Sequence, residues 1–423
     1  MRKKIRLGFV GHGLRGYLIK HCAKMADVDL VAVCDMHPDR AEQMCEIVEK
    51  ITGKKPYTCT NHKDMIKNAG LDAVVLCTSW SSHIPLSIDF MEAGIAVGCE
   101  VGGCDSLEEI WELVRCHRKT GTEFMMLENC CYGRQEMLLL NMIKKGLFGE
   151  VVHCEGGYIH NLCGEILAGK EKKHYRLRNY MYRNCDNYPT HALGPIAKIL
   201  NINRGNRFLS LTSTSSKAAG LNAYMEYTDI ENKSLIGEKF NQGDVVNTTI
   251  KCANGEIITL KLATTTPAYG SRNFKVFGTK GFFNQATQSM ALVCEGIDFE
   301  NETAKTHWDN LDKYYEKYEH PIWKEYNDAG IGGGHGGMDH LVLRAFLESV
   351  KNGTKPPIDV YDSAALMAVT PLSEMSIKNG GAPVFFPDFT YGQWIEPETQ
   401  SRGKYSLNTV ENMPEVKIYP QAD

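Results

Sequence analysis

Nowhere in the 423 residues is there an uninterrupted run of about 18 apolar side chains, so no segment reads as a membrane-spanning helix. An excess of charge is missing too: 47 Lys and Arg stand against 51 Asp and Glu, a net of −4. That balance provides no basic field for nucleic acid or for an anionic membrane surface. Although there are 15 cysteines, none forms a C-x-x-C pair. Structural zinc normally shows paired ligands at short spacing. Neither a metal nor a disulfide framework is therefore expected, and the thiols read as reduced core residues of a cytoplasmic protein. Internal repeats, low-complexity tracts and flexible linkers do not occur either, so two closely packed domains are expected. The basic start "MRKKIRLGFVG" meets glycine too early for an export signal and reads as a strand.

What is present is alternation. Over the first 120 or so residues, β-rich runs ("KIRLGFVG", "VDLVAVCD", "LDAVVLCTS", "IAVGCEV") alternate with helical patterns such as "PDRAEQMCEIVEKI" and "SLEEIWELVRCHRKTG". Repeated β-α-β units with right-handed crossovers require a doubly wound parallel sheet. After "TEFMMLENC" the strands "VVHCEGGYIH", "NTTIKCANGEIITLKLATT" and "NFKVFGTKGFF" lie close together with tight turns, which predicts a mainly antiparallel sheet. The expected fold is α/β, with a Rossmann domain over 1–128 and an α/β domain with an open antiparallel sheet over 129–423. An open sheet face also offers a surface for a homo-oligomer.

"GFVGHGLRG" follows the first strand, and Gly11, Gly13 and Gly16 satisfy G-x-G-x-x-G where that strand turns into a helix. The first glycine permits the tight turn, the second admits a pyrophosphate against the backbone, and the third allows close helix packing. Asp35 ends the second strand at the distance where a carboxylate accepts from both ribose hydroxyls. A carboxylate there repels a 2′-phosphate, so NAD is expected in preference to NADP.

With "GFVGHGLRG", "CTSWSSHIPLS", "CEVGG" and "FGTKGFF" in this order, the chain resembles the Gfo/Idh/MocA oxidoreductases. Ordinary members of that family carry E-K-P at the end of a Rossmann strand, the lysine touching substrate and nicotinamide. This sequence has Glu100, Val101 and Gly102 instead. The strings "MLENCCYGR", "GGYIHN", "NYPTHALGPIAKILNINRG", "TPAYGSRNFKVFGTKGF" and "GGGHGGMDH" are similar to family 109 of the glycoside hydrolases, NAD-dependent α-N-acetylgalactosaminidases. The resemblance implies NAD contacts at Leu14, Arg15, Asp35, Trp80, Ser81, Ser82, His83, Glu100, Val101 and Asn129. Substrate contacts are implied at Tyr158, Arg176, Tyr188, Pro189, Thr190, His191 and Tyr269. Glu128 falls on an active-site position.

Most glycosidases place two carboxylates about the scissile bond, and NAD-dependent ones are an exception. The resemblance implies oxidation at C3 of the sugar, elimination across C1 and C2, addition of water, and re-reduction. Imidazole and phenol suit those proton transfers better than a fixed ammonium. His191 is the first candidate for the 3-hydroxyl proton. Tyr188 and Tyr269 are candidates for the C2 proton or the leaving oxygen, with Glu128 orienting a group or relaying a proton. In "NYPTH", Pro189 fixes the backbone and Thr190 can cap the following helix. "GGGHGGMDH" reads equally as an N-cap turn or as a glycine-hinged loop that brings His335 to a small carbohydrate substrate. Two further readings of the whole chain stand beside this one: an NAD-dependent sugar dehydrogenase, and a non-catalytic sugar- or NAD-sensing regulator.

Overall fold

A computed structural model describes residues 4–102, 104–169, 175–231, 233–301, 304–330, 334–397 and 403–408. The chain forms two compact units. The first comprises Met1–Tyr132, Gly330–Met367 and Thr399–Ser406, and the second Gly133–Ala329, Ala368–Glu398 and Leu407–Asp423.

In the first unit, β1 (Ile5–Val10), β2 (Val28–Cys34), β3 (Tyr57–Cys59), β4 (Ala73–Leu76), β5 (Ala96–Cys99) and β6 (Phe124–Met126) form one sheet. Its order is β3-β2-β1-β4-β5-β6 and every pairing is parallel. A parallel sheet is covered on both faces, which is why a strand such as "AVVL" is apolar at every position and buried throughout. The helices between strands carry local start and stop signals. Pro38–Thr52 opens with proline in its first turn and ends at Gly53, whose φ of 72° is the left-handed conformation that closes a helix. Leu107–Thr120 opens on a capping box made by Ser106 and Glu109. The strand order reverses between β1 and β4, and there the glycine loop leaves β1. This is the switch point at which doubly wound sheets bind ligands.

The sequence change near residue 128 assigns everything after it to a second domain, yet Gly330–Met367 belongs to the first unit. The helix Met338–Asn352 explains this. Its buried stripe includes Leu341, Val342, Ala345 and Phe346, and Phe346 lies so close to Gly98 of β5 that a Cβ there would stand 2.8 Å from the ring. An ion pair from Arg344 to Asp27, at 2.7 Å, fixes its far end.

In the second unit, β7 (Val151–Ile159), β8 (Phe208–Ser215), β9 (Val245–Cys252), β10 (Ile257–Ala263), β11 (Lys275–Gly278), β12 (Gly281–Asn284), β13 (Ser289–Leu292) and β14 (Val384–Phe385) make one sheet. The order is β13-β12-β11-β7-β10-β9-β8-β14, antiparallel except where β7 meets β10. Strand β9 buries every second residue, the signature of a sheet with one packed and one wet face. On the packed face lies the helix Thr190–Ile199. A Cβ on Gly156 of β7 would come 2.6 Å from Ala192 Cβ, so glycine is what lets this helix settle onto the strand. A smaller core of Cys163, Ile166, Leu167, Tyr180, Leu221 and Phe240 holds the short helices Cys163–Leu167, Arg176–Tyr182 and Gly220–Tyr227 together. Each such buried side chain contributes about 1.5–3 kcal/mol of transfer free energy.

All the cysteines except Cys59 and Cys294 are buried. Among the described residues no helix is long and apolar enough to cross a membrane.

Candidate active site

In the first unit the glycine loop is built as its spacing predicts. Gly11 has φ +95°, and a Cβ there would lie 2.6 Å from the Cys77 carbonyl oxygen, so no other residue fits. A Cβ on Gly16 would stand 2.5 Å from His12 Nδ1. His12 is therefore positional: it fills the turn. Beyond the loop, Leu14–Tyr17 forms a 3-10 turn before the helix Leu18–Ala23. Leu14 is exposed. At the end of β2 the buried Asp35 carboxylate accepts from the backbone N–H of His12 at 2.8 Å and of His37 at 2.9 Å, one on each oxygen. Each oxygen keeps a second lone pair.

The helix Trp80–Glu92 begins after β4. Trp80 is buried, and a Cβ on Gly102 would overlap its indole, so the glycine of "CEVGG" is the floor on which Trp80 rests. Ser81 is exposed, and Ser82 donates to Thr78 Oγ1 at 2.9 Å. Burial pushes the His83 imidazole down to about 4, so it is neutral and donates from Nε2 to the Thr78 carbonyl at 3.1 Å. That bond ties His83 to the loop it follows. Glu100 and Val101 are both buried, and Glu100 pairs with Arg15 at 2.9 Å.

Asp339 is the hub of this half, and spacing gives no sign of it. It is fully buried and accepts from Arg15 Nη2 at 2.8 Å, from the Tyr17 hydroxyl at 2.6 Å and from Asn129 Nδ2 at 2.7 Å. Burial alone would raise its carboxyl, but hydrogen bonds from His335, Arg15 and Tyr17 hold it well below the usual carboxylate range. His335, expected at the substrate, lies in this first unit with Nδ1 2.9 Å from Asp339 Oδ2. Its φ of 50° is left-handed, as are those of Gly336 and Gly337, and no side chain caps the helix that follows. Residues 332 and 333 of "GGGHGGMDH" lie outside the described residues. Glu128 is fully buried and accepts from the Cys130 N–H at 3.1 Å.

These residues suit a dinucleotide. A Cβ on Gly13 would meet nothing nearer than 3.9 Å, which leaves its backbone open to close approach. Asp35 has spare acceptor capacity, and the buried Asn129 Oδ1 has no hydrogen-bond partner among the described residues.

The second unit holds a wall of rings packed in tilted and edge-to-face contact. Tyr158 follows Gly156 on the same face of β7, and its ring centroid lies 4.4 Å from that of Tyr188 and 5.8 Å from that of His191. His160, which sequence patterning did not single out, stacks 4.5 Å from Tyr158. The Tyr188 hydroxyl is 3.3 Å from His191 Nε2. Arg176 is buried, with its guanidinium carbon 5.0 Å from the Tyr188 ring centroid and its Nε 2.7 Å from Glu165. The segment ahead of the helix is fixed through its own backbone: Asp186 N–H donates to Ser373 Oγ at 2.8 Å, and Thr370 Oγ1 donates to the Asp186 carbonyl at 3.0 Å.

One expectation needs correction here. Thr190 does not cap its helix. Pro189 occupies the cap position with φ −77° and ψ −20°, already helical, so Thr190 is the first helical residue and its buried Oγ1 has no partner among the described residues. Tyr269, expected at the substrate, is 95% exposed.

Comparison with known proteins agrees with both halves. Residues 5–127 match the model for the oxidoreductase family with an NAD-binding Rossmann fold, and residues 132–396 match that for the C-terminal domain of glycosyl hydrolase 109. A "Glycosyl hydrolase family 109 protein" of Stenotrophomonas maltophilia is 37% identical over 95% of this chain and 93% of its own. An "Alpha-N-acetylgalactosaminidase" of Tannerella forsythia is 35% identical, covering 92% of this chain and 87% of its own. Among solved structures, an inositol dehydrogenase homolog from Azotobacter vinelandii complexed with NAD+ shares the fold, with a TM-score of 0.65 at 18% identity over 91% of this chain and 98% of that one. An NAD-binding Rossmann unit joined to this C-terminal unit, with such identity over nearly the whole length, shows that the chain belongs to glycosyl hydrolase family 109, the NAD-dependent glycoside hydrolases.

Proposed function

We propose that the protein hydrolyses terminal α-linked N-acetylgalactosamine by oxidation at C3, elimination across C1 and C2, addition of water, and re-reduction. The observation that carries this reading is the hydrogen-bonded Tyr188–His191 pair set in a wall of aromatic rings. Bound NAD supplies a temporary acceptor for the hydride of a substrate C–H bond. The residues we assign to it are Gly11, Gly13, Leu14, Arg15, Gly16, Asp35, Trp80, Ser81, Ser82, His83, Glu100, Val101 and Asn129.

The chain's own groups move the protons. His191 Nε2 takes the proton of the 3-hydroxyl, and the Tyr188 hydroxyl beside it takes or returns a proton at C2 or at the leaving oxygen. A ketone at C3 acidifies the C2 proton, so a phenol and an imidazole suffice where an ordinary glycosidase needs two carboxylates. The rings of Tyr158 and Tyr188 present apolar faces to the C–H bonds of a pyranose, and Arg176, steadied by Glu165, donates to a hydroxyl or to the acetamido oxygen. Pro189 and Thr190 shape the same surface. We keep Glu128 as a buried relay, and Tyr269 and His335 as substrate contacts: both are exposed, and His335 is flanked by glycines. Val101, buried where ordinary oxidoreductases of this fold carry lysine, favours this reading over net sugar oxidation. The abundance of buried thiols suits a cytoplasmic setting.

The test is release of p-nitrophenol from its α-N-acetylgalactosaminide by the NAD-loaded protein without accumulation of NADH. Stoichiometric NADH with free sugar would favour a dehydrogenase, and inertness toward every α- and β-glycoside would sink the proposal.

A further inference from the structure

His160 carries chemistry that the reading above does not use. It follows β7 directly, and its backbone N–H donates to the Ala263 carbonyl at 2.9 Å. Just before it, Ile159 and Ser271 exchange both backbone hydrogen bonds, at 3.0 and 2.9 Å. The residue is thus anchored through its main chain. Its ring packs against Tyr158 with centroids 4.5 Å apart and planes tilted by 47°, and extends the series Tyr158, Tyr188, His191 by one imidazole. On another side the backbone of Gly270 lies against it: a Cβ there would stand 3.1 Å from His160 Cε1 and 3.2 Å from Nδ1. The ring is only partly buried, and among the described residues neither of its nitrogens has a hydrogen-bond partner.

Burial lowers the pKa of this imidazole, and the positive fields of His191, Arg176 and Arg272 lower it further, against a smaller opposing effect of Glu165. A neutral imidazole offers one donor and one acceptor, the complement of a hydroxyl, which also does both. A carboxylate or phosphate would need the cation. The neighbouring arginines offer it little, since Arg176 pairs with Glu165 at 2.7 Å and Arg272 with Glu136 at 2.5 Å. The ring wall is therefore suited to an uncharged sugar, not to a uronate or a sugar phosphate.

We propose that His160 is a specificity-determining substrate contact, hydrogen-bonding a hydroxyl of the bound neutral hexosamine at the end of the Tyr158 stack. The inference rests on the proposed glycosidase function and adds a residue to it.

Two variants separate contact from packing. His160→Phe keeps an aromatic ring on Tyr158 and removes both nitrogens. His160→Asn keeps a donor and an acceptor and removes the ring. Binding of N-acetylgalactosamine to the NAD-loaded proteins, read by calorimetry beside each thermal midpoint, gives the ranking. A contact role predicts that His160→Phe loses at least about tenfold in affinity with its midpoint unchanged, while His160→Asn retains more affinity than the phenylalanine variant. The reverse ranking, with His160→Phe like wild type and His160→Asn weak, overturns the proposal and leaves the glycosidase reading intact. Wild-type protein that neither binds the sugar nor cleaves any glycoside overturns both.

Discussion

The Tyr188 hydroxyl lies 3.3 Å from His191 Nε2, and the two rings meet edge to face with centroids 4.9 Å apart. Three residues apart at a helix start, they are the pair we propose as one proton-handling unit. Replacing His191 with alanine should lower kcat by about 100- to 10,000-fold, the range for loss of a positioned general base. Bound NAD should be unchanged, because every residue assigned to it lies elsewhere. Steady-state kinetics and the nucleotide content of the purified variant check both statements, and a variant that kept wild-type kcat would remove His191 from the chemistry.

We propose that Asp35 sets the choice of cofactor. Its carboxylate already accepts one backbone N–H on each oxygen, so it is oriented before a ribose arrives. A second negative charge at a 2′-phosphate would meet it directly, and NAD should bind at least about tenfold more tightly than NADP. Asp35→Asn should weaken NAD and relieve the repulsion of NADP, narrowing the gap between the two. Competitive titration of the two nucleotides against both proteins provides the comparison; equal wild-type affinities would contradict it.

Much of this nucleotide half was legible in the sequence, because a short local string fixes it: Gly11, Gly13 and Gly16 after one strand, Asp35 after the next. The strand Tyr57–Cys59 was not, being three residues long and largely unburied. Asp339 could not be read either, since it meets Arg15 across 324 positions of sequence. In the second unit, the string around Tyr188 and His191 marks the proposed site, and Gly156, whose missing Cβ admits Ala192, lets that helix settle against the strand that carries Tyr158. The run that holds this Gly-Gly pair reads as a strand, and the packing role of Gly156 appears only in three dimensions. Thr190 does not cap its helix because Pro189 adopts helical angles one residue earlier than a Thr-based start signal suggests.

Gly102 offers a test of the lysine-less motif. The smallest side chain added there would overlap the Trp80 indole, which is rigid and buried, so Gly102→Ala must displace it. Overpacking of this kind costs about 1–3 kcal/mol. The variant should lose NAD during purification and show shifted tryptophan fluorescence. Retention of NAD with an unaltered emission spectrum would mean that Trp80 does not grip the cofactor.

Asp186 gives a pH prediction. Burial pushes its carboxyl up to about 7, opposed by hydrogen bonds from Thr248 and from the Tyr188 backbone. A carboxyl raised above its unfolded value favours the folded state at acid pH and destabilises it progressively as pH rises from about 4 toward 7. The full effect is no more than about 4 kcal/mol at pH 8. Asp186→Asn keeps the acceptor and removes the charge, so it should raise the thermal midpoint at pH 8 and leave it unchanged at pH 4. A midpoint lowered at pH 8 would show that the charged form is the one the fold requires.

The central claim is that glycoside cleavage proceeds through a ketone at C3 that labilises the C2 hydrogen. Hydrolysis of p-nitrophenyl α-N-acetylgalactosaminide by the NAD-loaded protein in heavy water tests it directly, with the released sugar examined by mass spectrometry and NMR. The mechanism requires the C2 proton to leave and a solvent-derived one to return, so the product should carry deuterium at C2. Efficient cleavage that leaves ordinary hydrogen at C2 would contradict the mechanism.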